Sequence, residues 1–367
     1  MLRDFRILAL AVVLTGGTIS MSAQQGRSTP LATPVEPIVA IVDAFRSHSV
    51  VAFSDAHGNR QLAQFELSVL RDPRIVGVVN DIVIENGNAW HQDAMDRYVR
   101  GEDVPCETLR LVWRETTQAQ TLGANTCDIP ERYRVVRDVN ARLPRQRQLR
   151  VLLGDPPIDW SAVRTADDIR KWIELRDSHA AELIRREVLA KNRRAIVVYG
   201  QGHLQRKNLL ANYESEGLAG TVISILESTT NTKVFSIWWF NDRKAPPAEV
   251  TGWPVPSLAL TRGTTLGALE FTELEGAPPA RSAIRDGKIV PVPREEWRTL
   301  RMENQFDAVL YLGKTSGTFV VGQTEFTPAY CADSAWLAEL LRRWELGGPT
   351  RAQAARLREY CAARSPQ

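Results

Sequence analysis

Residues 50–61 read VVAFSDAHGNRQ, an apolar run followed at once by an acid and a histidine. The run ends at Phe53, and Asp55 and His57 stand two residues apart where a buried strand should stop. An apolar run without alternation is typical of a strand covered on both faces, as in a parallel sheet. The stretch therefore indicates an α/β fold with reactive side chains at a strand end.

Similar short apolar runs recur along the chain, and they alternate with amphipathic stretches. This alternation predicts a mainly parallel central sheet with helices on both faces and a Pro/Gly-rich C-terminal extension. The predicted strands are Val50–Ser54, Asp81–Glu85, Leu149–Gly154, Ala195–Gly200, Thr221–Leu226, Phe235–Phe240 and Phe306–Gly313. The predicted helices are Val35–Ser47, Gln61–Leu70, Ala89–Val99, Glu107–Thr116, Pro130–Leu143, Asp167–Lys191, Leu204–Tyr213, Ser334–Trp344 and Thr350–Cys361.

The first residues have the pattern of a secretory signal peptide. Arg3 and Arg6 precede the apolar run Ile7–Leu14, and small residues lead to a cleavage point near Ala23. A membrane anchor is the alternative, but it needs about 20 apolar residues. We therefore expect an exported protein, periplasmic or extracellular, without a membrane span in the mature chain. The segments are 1–23 (signal peptide), 24–34 (disordered leader), 35–240 (α/β core), 241–300 (loop-rich insertion or lid) and 301–367 (strand and helices completing the same domain).

The net charge bears on which partners the chain can bind, and the cysteine count bears on the compartment in which it folds. The 46 basic and 43 acidic residues leave a net charge of +3, which does not favour a nucleic-acid partner. In an exported chain, four cysteines indicate disulfides, and we expect Cys106–Cys127 and Cys331–Cys361 because each closes a short local loop. A structural zinc site is the alternative, although the chain has no C-x-x-C pair.

Acids and histidines follow four successive predicted strands. Ligands of open α/β sheets bind beyond the carboxyl ends of the strands, so these side chains mark a candidate site. Each of them taken alone is also an ordinary turn or cap residue. The strand-end residues are Asp55 and His57, then Glu85, then Asp155, and finally His203 after Gly200.

The predicted helix Asp167–Lys191 adds an arginine to this set. Its apolar stripe also contains Arg176, and His179 falls close to the same stripe. An arginine on an inward face needs a carboxylate such as Glu85 or Asp155, or a substrate anion. The alternative is that Arg176 reaches solvent from the edge of the stripe.

Two kinds of chemistry fit these side chains. His57 beside Asp55 or Glu85 can act as a general base on water. Alternatively, His57, Glu85 and His203 match the ligand set of an open zinc-type site, although no local H-E-x-x-H motif is present. A serine nucleophile and nucleotide binding are not indicated, because G-x-S-x-G, Walker A and G-x-G-x-x-G motifs are missing from the strand ends.

These strand ends resemble the superfamily that joins ChaN-like haem-binding uptake proteins, erythromycin esterases, and the TraB and Tiki proteins. Ser54-Asp55-Ala56-His57 is similar to its Gly-Glu-x-His, and Glu85 in VIENGN is similar to its second strand end. Gln92 with DRYVRGE, Arg176-Asp177-Ser178-His179-Ala180 and Gly200-Gln201-Gly202-His203 match three further segments, so the resemblance spans about residues 49–214. Ser54, Asp55 and His179 stand where the family has Gly, Glu and Met.

The resemblance implies which residues form a site, but it does not imply one reaction, because the members of the superfamily differ in activity. Esterase-like members suggest metal-independent hydrolysis with a histidine base, Tiki-like members a metal-dependent peptidase, and ChaN-like members haem binding without catalysis. We expect a hydrolase of a small-molecule or peptide substrate; the alternatives are a haem- or iron-complex-binding protein and an inactive scaffold. The expected catalytic residues are His57, Glu85, His203 and Arg176, with Asp55, Asp155, Asp177 and His179 in support.

Overall fold

A mainly parallel sheet lies at the centre of the computed structural model. The structure describes residues 29–56, 59–118, 126–207, 220–240, 246–275, 281–285, 288–314, 326–346 and 351–364. Within these residues the strands are β1 (Val50–Asp55), β2 (Asp81–Asn88), β3 (Arg150–Asp155), β4 (Ala195–Gly200), β5 (Val234–Trp239), β6 (Ser257–Leu260), β7 (Arg281–Arg285), β8 (Lys288–Val292) and β9 (Ala308–Tyr311). The α/β class predicted from the sequence is confirmed.

The strand order of the main sheet is β3-β2-β4-β1-β5-β9-β6. Every neighbouring pair is parallel except β6 with β9, which is antiparallel at the sheet edge. β1 lies between β4 and β5, with Val50 opposite both Ala195 and Val234. This order makes β3, β2, β4 and β1 consecutive, so their carboxyl ends share one edge. β7 and β8 form a separate antiparallel pair.

Helices cover both faces of the sheet. Side chains of β1 alternate between two apolar clusters: Val51 and Phe53 belong to one, and Val50 and Ala52 to the other. The first cluster includes residues of α1 to α7, and the second includes residues of α9 to α13. The helices are α1 (Pro37–Ala44), α2 (Arg60–Arg71), α3 (Pro73–Val78), α4 (Gln92–Val99), α5 (Cys106–Leu109), α6 (Leu111–Arg114), α7 (Glu131–Asn140), α8 (Ala166–Glu174), α9 (Arg176–Glu187), α10 (Val222–Thr229), α11 (Ala248–Thr251), α12 (Thr265–Ala268), α13 (Phe271–Glu275), α14 (Ser334–Leu346) and α15 (Arg351–Ala362).

Most predicted strands are confirmed, but one is wrong. Residues predicted as the strand Thr221–Leu226 instead begin α10, because Thr221 caps the helix by accepting a hydrogen bond from the Ser224 N–H. Val222, Ile223 and Leu226 are buried at helical spacing. A short β-branched run has the composition of a strand, and its period alone does not separate the two structures.

The predicted helices differ from the structure mainly at breaks and ends. The predicted Asp167–Lys191 is two helices, α8 and α9, separated at Leu175, and Arg176 is the first residue of the second. The predicted Glu107–Thr116 is the pair of short helices α5 and α6. Of the predicted Leu204–Tyr213, residues 205–207 are not helical and residues 208–213 lie outside the described part of the chain.

Two segments predicted to be irregular contact the sheet domain. Ala32, in the predicted leader, is buried, and the Pro30 carbonyl accepts a hydrogen bond from the Thr265 N–H. Within the Pro/Gly-rich stretch, β6 adds an antiparallel edge strand, and Val35 forms a bridge with Leu258 of that strand. The predicted signal peptide, residues 1–23, lies outside the described residues.

Both predicted disulfides are present. Cys106 is bonded to Cys127, and Cys331 to Cys361. Two disulfides fit a chain that folds in an oxidising compartment. None of the helices in the described part of the chain has the length and apolar character needed to cross a lipid bilayer.

Candidate functional site

Four predicted strand ends are neighbours at the carboxyl edge of the sheet. Asp155 ends β3, Glu85 lies near the end of β2, and Asp55 ends β1 beside Gly200, the last residue of β4. His203 follows in a single 3-10 turn, Gln201–Leu204. Strand order, which the sequence does not specify, thus brings side chains from four separate segments to one edge. His57 lies outside the described residues.

His203 is held between two carboxylates. Its Nδ1 lies 2.9 and 3.0 Å from the two carboxylate oxygens of Asp177, and its Nε2 lies 3.5 Å from Glu85 Oε1. Asp177 Oδ1 also accepts a hydrogen bond from the Val222 N–H at the start of α10. A carboxylate at a helix N-terminus is stabilised by the unpaired N–H groups there. The imidazole orientation is therefore fixed by α9 and α10 together.

Glu85 accepts hydrogen bonds at both of its oxygens. The Gly200 N–H donates to Oε2 at 2.6 Å, and Gln118 Nε2 donates to Oε1 at 2.8 Å. The carboxylate is only 7% exposed. A side chain at residue 200 would place its Cβ 3.2 Å from Glu85 Oε2, so glycine leaves room for this close approach.

The surroundings of His203 favour its charged form. Burial disfavours the imidazolium, but the hydrogen bond to Asp177 and the charges of Asp177 and Glu85 outweigh it and raise the pKa to about 9. At neutral pH both ring nitrogens then carry a proton. In this state His203 is a hydrogen-bond donor and a positive charge rather than a base.

Asp155 and Arg176 meet through a threonine hydroxyl. Thr117 donates to Asp155 from its backbone N–H at 2.7 Å and from its Oγ1 at 2.5 Å. Arg176 donates from Nε to Thr117 Oγ1 at 2.6 Å and from Nη2 to the Thr117 carbonyl at 2.5 Å. The direct distance from Arg176 Nε to Asp155 Oδ1 is 4.0 Å. Burial raises the pKa of Asp155 to about 7, against the lowering effect of Arg176 and Thr117.

Tyr199 lies beneath this group on β4. Its side chain is 1% exposed, and its hydroxyl has no hydrogen-bond partner among the described residues. Burial and the nearby charges of Glu85, Asp155 and Asp177 raise its pKa well above the usual value. A Cβ at residue 154 would lie 1.7 Å from the Tyr199 hydroxyl, so Gly154 is required for the tyrosine to pack there.

Asp55 belongs to a second charged group on the other face of the sheet. Arg132 Nη2 on α7 lies 3.9 Å from Asp55 Oδ2 and 3.0 Å from Glu66 Oε2 on α2. Burial raises the pKa of Glu66 to about 7, Arg132 lowers it, and Asp55 raises it further. Glu66 and Arg132 were not predicted as site residues. The sequence indicates this charged group only weakly, because its one local sign is that Glu66 interrupts the apolar face of α2.

The structure separates the site residues that were predicted from the sequence into two groups, with His179 apart from both. Glu85, His203 and Asp177 are in one group, and Asp155 and Arg176 are in another that shares the segment containing Thr117 and Gln118. His179 Nε2 is buried without a hydrogen-bond partner among the described residues, and burial, followed by the charge of Arg186, lowers the pKa of its imidazole. The sequence does not indicate Thr117 or Gln118, because both lie in an irregular segment far along the chain from their partners.

Two members of the metal-ligand set predicted from the sequence, Glu85 and His203, lie within the described residues. Within the described residues no group of three or more His, Cys, Asp and Glu side chains is arranged to hold a metal ion. Both oxygens of Glu85 already accept hydrogen bonds, and both nitrogens of His203 face carboxylates. His57, the third predicted ligand, lies outside the described residues.

Neither a family model nor a curated protein sequence matches this chain. Solved structures with a similar fold include a succinoglycan biosynthesis protein at 10% identity and TM-score 0.49, covering 77% of this chain and 94% of the other. A Bacillus cereus protein has 11% identity and TM-score 0.45, with coverage of 77% and 95%. A variant of erythromycin esterase EreC in its open conformation has 10% identity and TM-score 0.42, with coverage of 77% and 95%. These likenesses are distant.

Proposed function

We propose that this chain is an exported hydrolase that cleaves an ester or peptide bond in a small-molecule or peptide substrate. The site would lie at the carboxyl edge of β3, β2, β4 and β1. The observation that carries the proposal is the position of His203, whose Nδ1 is bonded to Asp177 while its Nε2 approaches Glu85. A histidine fixed by a carboxylate, with its second nitrogen directed to another reactive group, is suited to moving or holding a proton.

The proposed roles follow from charge and position for the described residues, and from the sequence pattern for His57. His57 removes a proton from water, and the water oxygen bonds to the substrate carbonyl carbon. The Arg176 guanidinium stabilises the oxyanion that develops as the carbonyl bond opens. When the bond to the leaving alcohol or amine breaks, the His203 imidazolium donates its Nε2 proton to that group. Glu85 and Asp177 keep His203 charged, since both carboxylates favour its protonated form.

A metal ion is not part of this proposal. A histidine whose Nδ1 is bonded to a carboxylate is also the usual arrangement of a metal-ligating histidine, so a metal-assisted reaction at Glu85 and His203 is the alternative to this proposal. An axial haem ligand at His203 would have to be Nε2, because Nδ1 is bonded to Asp177, and iron there would displace the 3.5 Å contact with Glu85. Tyr199, the tyrosine beneath the site, is 1% exposed and thus closed to a ligand of that size.

The test is hydrolysis of a panel of esters and peptides by the native chain and three variants. We expect His57→Ala and His203→Asn each to lower kcat/KM by about 10²- to 10⁴-fold, the usual contribution of a positioned acid or base. The matched control is His48→Asn, because His48 lies before β1 at the opposite edge and bonds the Ala44 carbonyl. Thermal unfolding should show that His57→Ala leaves the melting temperature nearly unchanged.

Other outcomes would count against the proposal in different ways. Full activity in His203→Asn would remove His203 from the reaction. No turnover across the panel, together with a Soret shift at micromolar haem, would favour the haem-binding alternative. Loss of activity on chelation, restored by a divalent ion, would favour the metal-assisted alternative.

A further inference from the structure

Residues Glu115–Gln118, which we call the strap, form an irregular segment after α6. Thr116, Thr117 and Gln118 are each no more than 1% exposed. Buried backbone outside helices and strands needs other hydrogen-bond partners. The strap has them: the Glu115 carbonyl accepts from Asn88 Nδ2 at 2.8 Å, and the Thr116 carbonyl accepts from Trp160 Nε1 at 3.1 Å.

One side of the strap contacts the candidate site. Thr117 bonds Asp155 through its N–H and hydroxyl, and it accepts two hydrogen bonds from Arg176. Its hydroxyl has one proton, which goes to Asp155, so a lone pair is left facing Arg176 Nε. Gln118 donates to Glu85 at 2.8 Å. Two adjacent residues therefore bond three of the predicted site residues.

The other side of the strap contacts the C-terminal helix pair, which is α14 and α15. The Cys331–Cys361 disulfide links the residues just before α14 to α15. Arg343 Nη2 lies 2.9 Å from Glu115 Oε1, and Arg343 Nη1 donates to the Arg114 carbonyl at 3.2 Å. The Arg343 guanidinium lies over two rings, 4.5 Å from Trp160 and 5.2 Å from Trp336. Its side chain is only 4% exposed, so this contact is a buried, multiply bonded anchor.

We propose that the strap positions Arg176, Asp155 and Glu85 for the reaction, with Thr117 and Gln118 as positioning residues and Arg343 as the anchor that fixes the strap. The inference rests on the proposed hydrolase function. Arg343 is 226 residues from Thr117 in sequence, yet it would control where the Arg176 guanidinium sits through the strap. A displacement of about 1 Å in such a group can lower the rate by about 10²-fold.

The first experiment replaces the Thr117 hydroxyl. Thr117→Val keeps the shape but removes the donor to Asp155 and the acceptor for Arg176, whereas Thr117→Ser keeps both. We expect Thr117→Val to lower kcat by about 10- to 100-fold, since misplacing a charge-stabilising group has effects of this size. The Asp155 carboxyl, followed by NMR, should titrate at higher pH because its ionised form loses a hydrogen bond. Thr117→Ser should restore both values.

The second experiment loosens the anchor. Arg343→Met keeps an apolar stem but loses the guanidinium, and the control Arg358→Met removes an exposed arginine of the same helix pair that pairs with Glu345. We expect Arg343→Met to raise the amide hydrogen exchange of the Thr117 N–H by at least about 10-fold and to lower kcat, with β1 amides unchanged. Arg358→Met should change neither.

The outcomes separate this inference from the proposed function. Unchanged exchange at Thr117 in Arg343→Met, or native kcat in Thr117→Val, would overturn the positioning role. If the native chain hydrolyses nothing, the proposed function fails on its own. The Asp155 titration and the Thr117 exchange rate would then still decide whether the strap holds these residues, because neither measurement needs a substrate.

Discussion

At the amino edge of the sheet Asp81 is bonded directly by Arg193, whereas at the carboxyl edge Asp155 meets Arg176 only through Thr117. Arg193 donates to the two oxygens of Asp81 at 2.6 and 2.7 Å. Nearby, Glu187 is within 2.7 Å of both Arg150 Nη1 and Lys191 Nζ. Asp81 and Glu187 at the first edge thus contact cations directly, and Asp155 at the second edge is held by the hydroxyl and backbone N–H of Thr117.

The difference appears in how the acids titrate. The hydrogen bond from Lys191, with those from Arg150 and Arg186, lowers the pKa of Glu187 to about 2. Burial raises the pKa of Asp155 to about 7. Burial also raises the pKa of Asp81, against the lowering effect of Arg193. The less buried Glu187, with three cationic partners, stays ionised, while a buried acid such as Asp155 can titrate near the pH at which proton transfer is useful. Glu187 therefore belongs to a stabilising network, and Asp155 has the titration range that the proposed function would use at the carboxyl edge.

The largest expected effect on stability comes from breaking the direct pair at the amino edge. Arg193→Met leaves the Asp81 carboxylate, 1% exposed, without its bidentate partner. Removing one member of a buried pair costs about 3–5 kcal/mol, so the free energy of unfolding measured in urea at pH 7 should fall by this amount. The control Arg71→Met, in an exposed pair with Glu131, should cost less than about 1 kcal/mol. Equal costs would remove the distinction between this pair and surface pairs.

The next effect concerns the two disulfides, which both belong to segments near the strap. Cys106–Cys127 closes 21 residues that include the strap, and Cys331–Cys361 closes 30 residues of the C-terminal helix pair. Replacing either pair by serine should lower the free energy of unfolding by about 3 kcal/mol, from the chain entropy of loops of this size. Hydrogen exchange should then increase around the strap before it increases at Asp81. A uniform increase at both edges would contradict the separate roles.

The smallest effect per step of the experiment, taken for one unit of pH, is a stability slope whose sign differs between the two acids. Asp155 has a raised pKa, so the stability it contributes is present below pH 3.8 and is lost as pH rises to about 7. Glu187 has a lowered pKa, so its contribution is present above pH 4.5 and is lost as pH falls towards 2. The difference between native chain and Asp155→Asn should therefore change by up to about 1.4 kcal/mol per pH unit between pH 4 and 7.

The matched variant Glu187→Gln should show the opposite slope, at lower pH. Urea unfolding of the native chain and both variants at pH 3, 4, 5, 6 and 7 measures the two slopes side by side. Slopes of the same sign would mean that both acids are held in the same way, and the contrast between the edges would be lost.

Local sequence determined much of the sheet and of the strand ends. Apolar runs such as the one ending at Phe53 are covered on both faces, so their composition alone indicated buried strands, and Glu85 and Asp155 follow from where such runs stop. The run beginning at Thr221 was misassigned because a cap and a helical burial period distinguish it only in the folded chain.

The contacts that fix the site could not be predicted in the same way. Thr117 is 38 residues from Asp155 and 59 from Arg176, and Gln118 is 33 from Glu85. Such pairs depend on strand order and on the path of an irregular segment, neither of which has a local pattern. Arg132 and Glu66 were missed for the same reason, since they are joined across two helices.

The position of Arg343 near the end of the chain has a consequence for folding order. β1 to β5 can pair once the chain has reached Trp239, but the Arg343–Glu115 contact joins residues 228 apart in sequence. Contacts of large sequence separation form late and slow folding, because a long loop must close first. During synthesis β1 to β5 would therefore pair before the strap is anchored, and under the proposed function the emergence of α14 would decide when the chain becomes active.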